Sequence, residues 1–220
     1  MDTTHPILDF NAPGQEFPVG YSIFYISYYL SISMDFKDRL IEHYGFTERD
    51  WAETVSRFEP ITLPAKSLFL ESGKIASSLG YLRRGLMRSF FYDDQANDIT
   101  TQFFKTGSVV ISMKSFNDQV PARENIIAIE DCELDVITYT KMTELTEMVP
   151  AWQQIGKDVD EFKYNQLMNR SIQLQTLTAS ERYQLFIRKH PEVLQRVALR
   201  HIASYLGIDI ATLSRIRRSV

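Results

Sequence analysis

The sequence predicts an α+β fold: an N-terminal antiparallel β-roll of the jelly-roll kind with flanking helices, a long connecting helix, and a C-terminal helical helix-turn-helix segment. Three observations predict it. Short apolar runs alternate with Gly and Pro punctuation between residues 58 and 139, and apolar residues recur at helical spacing between 141 and 178. The last 22 residues, Leu199 to Val220, have the spacing of two short helices joined by a tight turn. At 220 residues the chain has room for two modest domains.

Residues 1–33 stand apart. Tyr21 to Ser33 is apolar and aromatic, but it is too short to span a bilayer, no Lys or Arg precedes Lys37, and no small-residue cleavage site follows. No membrane association is expected. Met34 opens a different kind of sequence, so residues 1–33 read either as an added β-rich arm or as an upstream extension of a protein that starts there. Residues 34–57 read as helical, with Phe36, Leu40, Ile41, Trp51 and Val55 apolar and Thr47 placed as a cap.

The β-type runs are Phe58–Leu63, Ser67–Leu70, Leu79–Arg83, Leu86–Tyr92, Ile99–Phe104, Val109–Ile111, Asn125–Ile129 and Leu134–Thr138. Many short strands at regular spacing argue for a barrel or jelly roll. A sensor domain is expected over 34–150. Residues 151–178 carry a narrow seam, Trp152, Ile155, Val159 and Phe162, which suits contact between helices. Two readings stay open for it: packing on the roll, or pairing with the same helix of a second subunit. A further capped helix starts near Ser180 and stops before Pro191.

In the segment expected to form the C-terminal domain, 179–220, Ile202 and Leu206 lie on one face of a first helix. Leu213 and Ile216 lie on one face of a second, so that both close over Ile208. Ala203 leaves room where the helices cross, Gly207 supplies the turn, and Asp209 caps the second helix. Thr212, Ser214, Arg215, Arg217 and Arg218 then face outward, where they fit a major groove. A helical hairpin used only for packing has the same spacing. Charge favours the first reading: from Arg182 to the end stand eight basic residues, Arg182 included, against two acidic ones, a surplus of +6 in a chain of net charge −4, which leaves −10 on residues 1–181.

From about residue 34 onward the chain resembles the Crp/Fnr family of bacterial transcription regulators in its order of parts. The resemblance is to Bacteroidetes-type members in the segments Ala179-Ser-Glu-Arg-Tyr183 and His201-Ile-Ala-Ser-Tyr-Leu-Gly207. It implies a homodimer joined through the long helix and bound to double-stranded DNA. Ile210, Ala211, Ser214 and Arg215 fall at the groove-facing positions, with Thr212, Arg217 and Arg218 near phosphates. Arg215 is the expected base reader, since its fork takes guanine O6 and N7 together. Ile210 and Ala211 replace the polar pair of the cAMP-responsive members, and no wing is expected after the recognition helix.

In cAMP-binding members the roll carries a Gly-Glu pair that grips the ribose and an Arg-Ser pair that meets the phosphate. An ungapped alignment from Gly107 to Arg123 puts Ile111 and Ser112 at the first pair and Ala122 and Arg123 at the second. The ribose carboxylate is gone, and Arg123 stands one residue out of place, which on a strand reverses its face. Weak or no cAMP binding is implied, with Ser112 and Arg123 as the candidate contacts to a small-molecule effector of unknown identity. From the residues alone, Arg123 also reads as a surface arginine paired with Glu124 or Glu130.

No cofactor or metal is expected. Cys132 stands alone and reads as a small buried side chain, and His5, His43, His190 and His201 lack ligand spacing. An enzyme on a cupin-like roll would need clustered His and Glu on strands, and residues 58–139 contain no histidine. The expectation is therefore a cytoplasmic regulator and not an enzyme. The alternative is a ligand-binding module whose C-terminal helices meet a protein partner, which predicts no salt-sensitive DNA affinity.

Overall fold

The computed structural model describes residues 36–218, and the expected extension over residues 1–33 lies outside them. The first helical stretch is two helices, α1 (Phe36–Tyr44) and α2 (Glu48–Val55). Thr47 begins the second: its hydroxyl oxygen accepts from the Asp50 N–H at 3.2 Å while the Asp50 carboxylate accepts from the Thr47 N–H at 2.8 Å.

Eight strands follow, each within two residues of an expected run. They are β1 (Glu59–Leu63), β2 (Leu68–Leu70), β3 (Ser78–Arg84), β4 (Leu86–Tyr92), β5 (Asp98–Lys105), β6 (Val109–Val110), β7 (Asn125–Ala128) and β8 (Cys132–Thr138). They form two antiparallel four-stranded sheets, in the orders β1-β8-β3-β6 and β2-β7-β4-β5. Leu82, Met87, Phe104, Val110, Ile126 and Leu134 fill the space between the sheets. The β3–β4 turn depends on Gly85, whose φ is +115°. A Cβ there would lie 2.5 Å from Cys132 Sγ.

One short helix inside the roll, α3 (Met113–Asp118), was not expected. The helix expected over 141–178 is two: α4 (Tyr139–Met148) and the 26-residue α5 (Ala151–Thr176), about 39 Å long at 1.5 Å per residue. They part at Val149–Pro150, where proline supplies no N–H to continue the ladder. Trp152 and Ile155 are buried within the chain against Leu40, Phe46, Ile137 and Leu145, and the Trp152 indole N–H donates to Thr54 Oγ1 at 3.1 Å. This corrects the dimer reading of the seam: its N-terminal half packs on the roll. Val159 is partly buried against the same cluster, and Phe162 turns toward a cavity described below.

Beyond α5 come α6 (Ala179–Lys189), α7 (Pro191–Arg196), α8 (Leu199–Leu206) and α9 (Ile210–Arg218). Thr178 and Glu181 form a capping box at the start of α6, and Pro191 occupies the first turn of α7, a helix the sequence reading missed. These helices do not form a separate ball. Leu86 of β4 and Phe103 of β5 join Tyr183, Phe186, Val193, Ile202, Leu206 and Leu213 in one apolar cluster, so the helix-turn-helix is docked on the second sheet.

Leu134 is fully buried between the sheets. Leu134→Ala is expected to cost about 2–5 kcal/mol, read as a lower denaturation midpoint in guanidinium with an unchanged slope.

Candidate nucleic-acid interface and effector cavity

The turn between α8 and α9 follows from its residues. Gly207 closes α8 at φ +65°, and a Cβ there would stand 3.1 Å from Leu174 on α5. Asp209 then caps α9, accepting from the Thr212 N–H at 2.7 Å and the Thr212 hydroxyl at 2.6 Å, which holds its carboxyl below the usual range. Ile202, Ala203, Leu206 and Leu213 are buried, with Ile208 and Ile216 packed against them. This is the packing the spacing predicts.

What remains outward is the expected face. Ile210, Ala211, Arg215, Arg217 and Arg218 are exposed, and Thr212 and Ser214 partly so. Arg215 Nη2 donates to Thr212 Oγ1 at 2.9 Å, so the capping group also orients the guanidinium. The Arg218 Nε–H reaches the Ser214 carbonyl at 3.3 Å. Other basic residues of the tail serve the fold: Arg182 donates to the carbonyls of Leu206 and Leu177, and Arg196 pairs with Glu130. The latter pair removes Glu130 as a partner for Arg123, which is exposed.

Docking on the roll is polar as well as apolar. Along the outer edge of β5, the Ser204 hydroxyl accepts from the Thr100 N–H at 2.9 Å and donates to the Asp98 carbonyl at 3.0 Å. Behind it, the buried Arg88 guanidinium pairs with both carboxylate oxygens of Asp98, donates to Thr100 Oγ1 and lies 4.1 Å from the Phe90 ring centroid. His201 faces this cluster from α8, its Nδ1 3.9 Å from Asp98. Burial first, and the Arg88 charge second, push His201 down to about 4; Asp98 opposes them but is committed to Arg88. Burial and then Lys105 push His190 down to about 4 as well.

A cavity of about 770 Å³ lies between the roll, α5 and the helix-turn-helix. Both residues expected at an effector site, Ser112 and Arg123, line it, Ser112 buried and Arg123 exposed. Phe162 and Lys163 enter from α5, and Val193 and Tyr205 from the C-terminal helices. The Arg170 guanidinium of α5 donates to the carbonyls of Tyr205 and Thr101 and stacks 4.3 Å from the Tyr205 ring, tying the three parts together. Sequence reading did not find Lys163, Arg170 or Tyr205. Nothing in their local spacing separates them from solvated polar positions. Cys132, by contrast, is buried as expected, and burial pushes its thiol pKa up.

No family model and no curated protein matches this sequence. The fold is that of solved regulator structures. The c-di-GMP-responsive global regulator CLP of Xanthomonas campestris matches at TM-score 0.61 with 16% identity, over 79% of this chain and 91% of that one. FixK2 of Bradyrhizobium japonicum matches at 0.62 with 17% identity, over 74% and 83%. A candidate Crp/Fnr-family transcriptional regulator from Eubacterium rectale matches at 0.64 with 12% identity, over 80% and 83%. What these identities share is the fold: a cyclic-nucleotide-binding-like roll followed by a helical domain. No helix among the described residues is long and apolar enough to cross a membrane.

Two histidines held neutral by the fold make stability depend on pH. Their folded pKa values, about 4, lie below the ordinary 6.5, so the unfolded chain binds more protons between those limits. Stability is expected to be full above about pH 6.5 and to fall toward pH 4, by at most about 1.4 kcal/mol per pH unit for each histidine. Urea denaturation at pH 7 and pH 5 measures the loss, and His190→Gln should reduce it.

Proposed function

We propose that this chain is a sequence-specific DNA-binding transcription regulator of the Crp/Fnr type that acts as a homodimer. A small-molecule effector would occupy the cavity between roll and helices. The observation that carries this is α9: a capped helix with a buried apolar face and an exposed basic one, presented by α8 on a roll of the regulator fold. Arg215 reads a base edge, Ile210 and Ala211 lie against thymine methyls, and Thr212, Ser214, Arg217 and Arg218 meet the backbone or neighbouring bases.

The dimer surface lies further along α5 than the seam suggested. Tyr164, Leu167, Met168 and Ile172 are between 45% and 67% exposed. They recur at three- and four-residue spacing on one stretch of helix, the pattern of a parallel helix pair. Two recognition helices then face successive major grooves of a near-palindromic site. The relatives' effectors do not transfer: neither Ile111 nor Ser112 supplies a carboxylate for a ribose, which favours an effector other than cAMP.

Selection from random duplex DNA across a salt series tests the regulator reading. A two-fold-symmetric motif is expected, with affinity falling steeply as salt rises. Arg215→Ala should relax specificity at one base pair per half-site, by about 1–3 kcal/mol. No enrichment at low salt, with or without cell extract metabolites, would sink the reading. Sedimentation checks the dimer: Leu167→Glu is expected to halve the mass and weaken binding to the full site while leaving the melting curve of the roll in place.

A further inference from the structure

The cavity holds its positive charge unevenly. Lys105 lies 3.3 Å from Glu192, Lys114 lies 2.7 Å from Asp118, and Arg170 is spent on two carbonyls and a ring. Lys163 differs. It projects from the middle of α5 into the cavity with its ammonium 5.4 Å from the Phe104 ring centroid, and no carboxylate lies within 4 Å among the described residues. Glu124 acts on it only at longer range.

We infer that the cavity seats a small organic anion, its single charged group against Lys163 Nζ and its apolar body among Phe104, Ile111 and Phe162. This rests on the effector reading above and names the ligand class. A partly buried ammonium without a close counterion is costly, and an anion that enters the cavity offsets that cost with a charge-assisted hydrogen bond. Burial pushes Lys163 down to about 8 against the pull of Glu124. Phe104, Ile111 and Phe162 line the same cavity as Lys163, together with the further cations Lys189 and Arg123, the latter exposed; an ammonium set over an aromatic ring fits one charged group joined to a hydrophobic body. The seat is on the long helix, and Ser112 and Arg123, on either side of α3, line the same cavity. Because Val193 and Tyr205 complete the same cavity, its occupant touches the roll, the dimer helix and the DNA-binding helices together.

The test uses two probes that differ by one charged group, 8-anilinonaphthalene-1-sulfonate and the neutral N-phenyl-1-naphthylamine, titrated by fluorescence into the full chain. The anionic probe is expected to bind about tenfold more tightly or better. Lys163→Met should abolish that preference while still binding the neutral probe, and Lys163→Arg should keep it. Equal affinities in the parent chain, a preference that survives Lys163→Met, or no binding of either probe by protein with native circular dichroism overturns the inference. Displacement by 1-naphthoate against 1-naphthyl phosphate then tells a carboxylate ligand from a phosphate one. Arg215→Ala separates the two readings: it should bind both probes as the parent does. Probe discrimination without any DNA binding by the parent overturns the regulator alone, and DNA binding without discrimination overturns the anion seat alone.

Discussion

The rest of the structure depends on the covering of β5. This strand is the outer edge of its sheet, with backbone donors and acceptors that an open edge would offer to any passing strand. Ser204 satisfies one of each with a single hydroxyl, and α8 lies over the edge. The docking fixes where α9 points. Since α8 is held between β5 and α6, its partner in the turn can only face away from the roll, and the exposed arginines follow from that. The cavity follows too, because it has walls on three sides only while α5 and the C-terminal helices are held against the sheet.

The same constraint explains the burial pattern of the two strands involved. A strand with one wet face alternates apolar and polar residues, but β4 begins with five consecutive buried residues. Met87 and Phe104 point into the roll while their neighbours Leu86 and Phe103 point into the helix-turn-helix core. Arg88 lies on the outer side as well, and it is tolerated there because Asp98, Thr100 and the Phe90 ring surround it. Paired apolar residues in adjacent positions therefore mark the strands that a second domain covers.

That feature also measures what the sequence made legible. The strands could be found because turn residues bracket each one. The helix-turn-helix could be found because five apolar positions, a glycine and a capping aspartate each have one geometric reason. The dipeptides Leu86-Met87 and Phe103-Phe104 were visible too, yet two-sided burial was not read from them. The short helices α3 and α7 are six residues each, too short to show a helical period. For the seam of α5, spacing established an apolar stripe but carried no information on which body covers it. Trp152 and Ile155 are covered by α1, β8 and α4, whereas the second stripe, from Tyr164 to Ile172, reads from sequence as a mixture of polar and apolar residues. Lys163 was unreadable for a related reason. Its environment is made by residues up to about sixty positions away, Phe104 and Glu124 among them.

Charge placement completes the logic of the docked arrangement. Of the basic residues that mark the tail, Arg182 holds the ends of α5 and α8, and Arg196 holds Glu130 at the roll. What these contacts leave of the +6 surplus is concentrated on the exposed side of α9. The described residues beneath it, 36–181, carry −6, a field that disfavours a polyanion. In the proposed regulator, attraction at one helix and repulsion elsewhere would orient the encounter, so that a duplex would approach the face where Arg215 stands already braced by Thr212 and Asp209. A basic surface spread over the whole protein would bind more tightly at random sites and would give up that orientation.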